Sequence, residues 1–159
     1  MTHTHYQHYI AIIITGLLVG CSDPDRQADS KGADHYLINQ PCKTKPNCVS
    51  TLDNRAEHLL TPFQLSEQGI ANWPLIQNVA LQLPGAKLAS TQPDYFRIEC
   101  TSSFFRFVDD FEVKREGDSL TVRSESRVGY SDFGVNRQRA EAFRQQLSDA
   151  GYLKTNLNN

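Results

Sequence analysis

Two stretches of alternating apolar character, Phe105 to Arg115 and Leu120 to Val128, flank Glu116-Gly117-Asp118 and read as a β-hairpin. Setting Val113 opposite Val122 places Phe107, Phe111, Val113, Leu120 and Val122 on one apolar face and Glu112 opposite Arg123 on the other. A slip of one residue would turn every one of these side chains to the wrong face, so the register is well specified. The preceding chain extends the sheet. Ala86 to Thr91 reads as a strand, Gln92-Pro93-Asp94 as a turn, and Tyr95 to Cys100 as a further strand. Phe96, Ile98 and Cys100 point to one side of it, Tyr95, Arg97 and Glu99 to the other.

Helices bracket these strands. Asn72-Trp73-Pro74 opens the first, with Asn as N-cap and Pro in the first turn. Ile76, Val79, Ala80 and Leu83 follow helical spacing until Pro84-Gly85 stops the run. The last helix is predicted from Val135 to Ala150, with Ala140, Phe143, Leu147 and Ala150 as its apolar stripe and Gly151 as its C-cap. Helix, strands and helix with hairpin-length connections predict an α+β domain. Its antiparallel sheet has about four strands with helices packed on one face, after an irregular N-terminal lead-in through Pro41, Pro46 and Pro62.

The N-terminus carries a different signal. The apolar run from Tyr9 to Val19 ends in Leu18-Val19-Gly20-Cys21, which looks like a bacterial lipoprotein cleavage site, and it is too short to span a bilayer comfortably. No Lys or Arg precedes the run; His3, His5, His8 and the α-amino group supply what charge there is. On this reading residues 1–20 are a signal peptide, 21–35 a tether from a lipidated Cys21, and 36–155 a single α+β domain. Ser22 to Asp34 is polar, charged and nearly free of large apolar residues, as a tether would be. Multiple acylation gives stable anchoring, so a membrane is the first partner expected. Ser22 in place of Asp after the cysteine points to the outer membrane, facing the periplasm, in an organism that has one.

All Asp, Glu, Lys and Arg lie after Cys21, so the net charge of −2 belongs to the mature chain. That balance gives no basic footprint for nucleic acid and no polybasic membrane patch. Export favours disulfides. Cys42 and Cys48 bracket the turn-forming Lys43-Thr44-Lys45-Pro46-Asn47 and are expected to pair, leaving Cys100 as a buried free thiol. His35 and His58 stand in no convincing ligand spacing around the cysteines, so no metal is expected, and no other cofactor is implied.

The densest chemistry lies in Arg106-Phe107-Val108-Asp109-Asp110-Phe111-Glu112 and in the run from Arg123 to Arg139. With Pro46-Asn47-Cys48-Val49-Ser50, these stretches resemble the bacterial and plastid family called domain of unknown function 1499, over roughly Pro41 to Gly151. The resemblance rests on the Asn-Cys-Val-Ser opening, the Arg-Phe-Val-Asp-Asp pattern and Arg-Ser-x-Ser-Arg-Val-Gly-Tyr-Ser-Asp-x-Gly-Val-Asn-Arg-x-Arg. Ser50-Thr51 stands where the opening motif carries a doubled serine. The family name assigns no activity, so the resemblance implies no catalytic residues.

Three readings of the constellation compete. In one, Arg123 and Arg127 are spent on Glu112, Asp110 or Glu125 across the sheet, while Ser131 or Asp132 caps amides in a glycine-permitted turn. In the second, Arg106, Asp110, Arg123, Ser124, Ser126, Arg127, Asp132, Asn136, Arg137 and Arg139 form a site for a small anionic ligand, since guanidinium forks suit phosphate or carboxylate and the helix N-terminus adds positive potential. In the third, Asp109, Asp110 and Asp132 serve a hydrolase-type or metal-dependent enzyme. Against that, adjacent strand residues such as Asp109 and Asp110 face opposite sides, and no histidine or glycine-flanked serine motif accompanies the serines. Binding or envelope maintenance is the favoured role.

Overall fold

The computed structural model describes residues 37–155. The proposed signal peptide, Cys21 and the tether lie outside them. The elements run β1 (Cys48–Ser50), β2 (Phe63–Gln64), α1 (Glu67–Ala71), α2 (Trp73–Ala80), β3 (Ala86–Gln92), β4 (Tyr95–Thr101), β5 (Val108–Glu116), β6 (Ser119–Ser126) and α3 (Val135–Asp149). The sheet order is β1-β6-β5-β4-β3, with β2 also on β6, and every pairing is antiparallel. This is an α+β fold.

The central hairpin has the expected register: Val113 opposes Val122 and Glu112 opposes Arg123. Phe96, Ile98, Phe111, Val113, Leu120 and Val122 are buried in one cluster with Ile76, Val79 and Ala80 of α2 and Ala140, Phe143 and Leu147 of α3. Phe143 meets Phe111 edge-on at 5.3 Å and Phe63 at 6.0 Å, which seats α3 on the sheet. Trp73 lies 5.3 Å from Phe96 and does the same for α2. Burial of such rings supplies most of the packing energy, about 1.5–3 kcal/mol per large apolar side chain.

Four expectations need correction. The sheet has six strands, not about four. The additions, β1 and β2, are three and two residues long, too short to leave a periodicity, and sit in the stretch read as irregular. Helix α1 was not anticipated for the same reason; Ser66 caps it by accepting from the Gly69 amide. Gly69 is required there, because a Cβ would stand 2.2 Å from the Tyr152 carbonyl oxygen. Asn72 does not cap α2 with its side chain, which instead donates to the Gln68 carbonyl. Phe107 is not in the core. Ser102 and Phe107 close a loop on each other, the Phe107 amide donating to Ser102 Oγ, and β5 begins only at Val108.

A disulfide joins Cys42 to Cys48, and Cys100 is free and buried. Burial pushes the Cys100 thiol up to about 11, so it stays protonated and unreactive. The Cys42 end is pinned twice. Its amide donates to Asp53 Oδ2 at 2.9 Å and its carbonyl accepts from Arg55 Nη2 at 2.6 Å.

Candidate functional site

The sheet face opposite the helices carries the charges. Register places Arg97, Glu99, Asp110, Glu112, Arg123 and Glu125 on it together. Near the end of β6, Arg127 grips Asp110 with both prongs, Nε to Oδ2 at 2.7 Å and Nη2 to Oδ1 at 2.8 Å, and also reaches Glu99 at 2.6 Å. Arg97 binds Asp110 at 2.6 Å and stands 3.5 Å from Glu99. Two cations and two carboxylates thus neutralise each other in a closed ring. Burial alone would push the Asp110 carboxyl up, but hydrogen bonds from Arg127 and Arg97 outweigh it and hold it below the usual carboxylate range.

Farther along the same face the chain from Leu37 to Cys42 lies over the sheet. Glu112 is buried, accepting from Tyr95 Oη at 2.7 Å and from the Leu37 amide at 3.2 Å. Burial raises its carboxyl despite the Tyr95 hydrogen bond and the nearby Arg123 charge. Arg123 is 1% exposed and donates to the Gln40 carbonyl at 2.8 Å and to Glu125 at 2.6 Å.

These opposite shifts set a pH dependence. Asp110, with its carboxyl lowered on folding, contributes stability that is present above the unfolded value near 3.9 and lost as pH falls through the folded value. Glu112, raised, contributes in the opposite sense: its share is present in acid and lost as pH rises through the folded value. Melting curves of the parent and of Asp110→Asn from pH 7 to pH 2 should therefore converge as Asp110 protonates. A gap that stays constant down to pH 2 would contradict the ring.

The helix-facing side of the same sheet end holds a second, separate cluster. Asn136 is fully buried: Oδ1 accepts from Ser124 Oγ and from Arg139 Nη1, both at 2.6 Å, and Nδ2 donates to the Asn47 carbonyl and Ser126 Oγ, both at 2.9 Å. Arg139 also binds Asp109 at 2.7 Å. Asp132 spends its carboxylate on α3, accepting from the Gly134 amide at 3.0 Å and the Asn136 amide at 2.8 Å, the capping role expected for it. Arg137 donates to the carbonyls of Leu59 at 2.8 Å and Glu57 at 3.1 Å.

The ten residues of the predicted ligand site therefore fall into several places. Asp110, Arg123 and Arg127 share the sheet face opposite the helices; Ser124, Ser126, Asn136 and Arg139 share the helix side; Asp132 and Arg137 bond backbone; Arg106 lies apart from them on the loop between β4 and β5. Asp109 and Asp110 face opposite sides of β5, and Asp132 lies at the start of α3, so the three carboxylates do not converge. Among the described residues no group of three or more His, Cys, Asp or Glu side chains is placed to hold a metal ion.

The family model described as protein of unknown function (DUF1499) matches residues 40–147. The chain belongs to this family. The DUF1499 match takes in all six strands, both charged clusters and α3 as far as Leu147. No curated protein matches the chain. The DUF1499 motifs seen in the sequence thus resolve into parts with separate duties. Asn47 supplies the carbonyl that holds Asn136, Asp109 and Asp110 serve the two faces of β5, and Ser124, Ser126 and Arg139 meet at Asn136 on the helix side while Arg137 goes to backbone carbonyls.

One feature escaped the sequence reading. Phe104, Phe105, Phe107, Tyr130 and Phe133 are all exposed on two loops at one end of the sheet. The aromatic density of Phe104-Phe105-Arg106-Phe107 was the available signal, but Phe107 fits the hairpin alternation and drew the reading towards the core.

Proposed function

We propose that this chain is a lipid-anchored protein of the bacterial cell envelope whose domain is a non-catalytic interaction module. The observation that carries the reading is where its arginines go. Arg123, Arg127, Arg137 and Arg139 are each bonded to the domain's own carboxylates or carbonyls, whereas the rings at the aromatic end of the sheet are exposed among the described residues. Guanidinium groups already held at 2.6–2.8 Å would have to surrender those bonds to take up an anion. The anchor reading rests on Leu18-Val19-Gly20-Cys21 at the end of the apolar run. Among the described residues no helix is long and apolar enough to cross a membrane.

Two measurements test the two halves. Mass spectrometry of the mature N-terminus should find an acylated Cys21, and Cys21→Ala should release the protein from membranes; an unmodified Cys21 rules the anchor out. Thermal melts in phosphate or soluble anionic headgroups should show no rise in melting temperature, because a ligand bound only by the folded state would raise it. A dose-dependent rise would restore the arginine cluster as an anion site.

A further inference from the structure

At the end of the sheet where β4 runs into β5 and β6 into α3, the fold holds aromatic side chains out in water. Phe104, Phe105 and Phe107 are 84, 68 and 53% exposed and contact one another, with ring centroids 4.8 and 5.6 Å apart. Tyr130 and Phe133, on the loop after β6, are 73 and 92% exposed. The two loops leave neighbouring strands: Thr101 pairs with Val108, and the Arg127 amide donates to the Val108 carbonyl. Leaving this much ring surface in water is unfavourable, and such patches mark interaction sites.

The presentation is built in. Arg106 and Phe133 are the two non-glycine residues with positive φ among the described residues, 58° and 54°, and both lie in these loops. A left-handed backbone at such residues costs free energy and is kept only where surrounding bonds enforce it. At Phe133 the residue's own amide donates to Ser131 Oγ and the next amide to Asp132, and after Arg106 the Phe107 amide donates to Ser102 Oγ.

The charges around the rings are equally one-sided. The disulfide-closed loop carrying Lys43 and Lys45 abuts the same end, since the Pro46 carbonyl accepts from the Asp132 amide and the Asn47 carbonyl from the Ser126 amide. The side chains of Lys43, Lys45 and Arg106 have no hydrogen bond or ion pair among the described residues. Asp132 is the one acid on the three loops, 41–47, 102–107 and 127–134, and its carboxylate is turned back to accept from the Gly134 and Asn136 amides at the N-terminus of α3.

We propose that this end of the domain docks on the surface of an anionic lipid bilayer, the phenyl rings entering the headgroup boundary and Lys43, Lys45 and Arg106 meeting the lipid phosphates. Rings at the boundary flanked by basic side chains are the composition by which proteins lie on such surfaces. The proposal names the occupant of the surface left open by the reading above and rests on it. The anchor favours this occupant: fifteen residues separate Cys21 from Leu37, a chain that reaches at most about 55 Å, so the bilayer is always near at hand.

The test uses the full chain in phosphatidylglycerol-containing vesicles with brominated acyl chains. It reads the emission of Phe105→Trp, and separately of Phe133→Trp, as a difference from the parent, whose only tryptophan is Trp73. Both positions are exposed, so the variants should melt with the parent. Docking predicts a blue shift and strong bromolipid quenching, reduced several-fold in neutral phosphatidylcholine and when Lys43, Lys45 and Arg106 are all changed to Gln. A chain that floats with the vesicles while both tryptophans stay unquenched overturns the docking and leaves the anchor intact. Quenching in Cys21→Ala supports the docking whether or not the anchor exists. A blue shift that grows with protein concentration in the absence of lipid, with no quenching, assigns the rings to a second copy of the chain and overturns the proposal.

Discussion

Replacing Arg123 with Gln is expected to destabilise the domain by about 3 kcal/mol, the lower end of the range for breaking a buried ion pair. That corresponds to a fall in melting temperature on the order of 10 °C for a domain of this size. The guanidinium is among the largest fully buried side chains and bridges two things, the Glu125 carboxylate and the Gln40 carbonyl. Gln cannot reach both. It would leave Glu125, 15% exposed at its side chain, as a nearly buried charge without its partner, and would free the lead-in over the sheet. The cost stays at the lower end because Glu125 retains some water and because Arg123 already has one buried donor, Nε, with no acceptor. Changing both partners to apolar residues, Arg123→Met with Glu125→Leu, should cost much less than the single change, since removing a buried pair together avoids the stranded charge. Equilibrium denaturation of the three proteins decides it. A single variant within about 1 kcal/mol of the parent would place Arg123 outside the set of stabilising contacts.

What could be read from the sequence followed from length and repetition. β5 and β6 run nine and eight residues, long enough for alternation to fix both faces and the pairing of Val113 with Val122. The same alternation misled at Phe107, where a left-handed Arg106 and the Ser102 loop delay the start of β5 to Val108. The turn chemistry that does this involves Ser102 across five positions, which no local pattern announces. The arginine cluster was visible as composition, but its meaning depends on contacts far apart in sequence. Arg123 meets Gln40 across 83 positions and Arg137 meets Leu59 across 78. Strand alternation also hid a division inside the motif. Ser124 and Ser126 point to the helices while Arg123 and Arg127 point away, so residues dense in sequence separate into two sites on opposite faces. The Cys42–Cys48 pairing was legible because a six-residue separation around a Pro-containing turn is a local problem.

Asn136→Ala should cost a similar amount, about 3 kcal/mol, by another route: unsatisfied buried groups at about 1–3 kcal/mol each. The Asn136 amide uses all its capacity inside the protein, and its removal strands acceptors and donors that water cannot reach. The loss is shared unequally. Ser124 Oγ can rotate, and Arg139 keeps Asp109 and Ser124, so neither is fully orphaned. The Asn47 carbonyl keeps the Ser126 amide as a donor, but it loses the one bond that links it to α3. A gain of about 0.5 kcal/mol in helix propensity offsets only part of this. Ser126→Ala, which removes one acceptor from the same amide, should cost about 1 kcal/mol. The ordering is therefore more diagnostic than either value, and chemical denaturation of the two variants measures it. Hydrogen exchange supplies the spatial half of the test. Because Asn47 also holds the Gly129 and Ser126 carbonyls, Asn136→Ala should speed exchange at the amides of Ser126 and Asp132 while leaving those of β4 protected. Equal loss of protection in β4 would mean that the cluster supports the whole sheet and not this end of it.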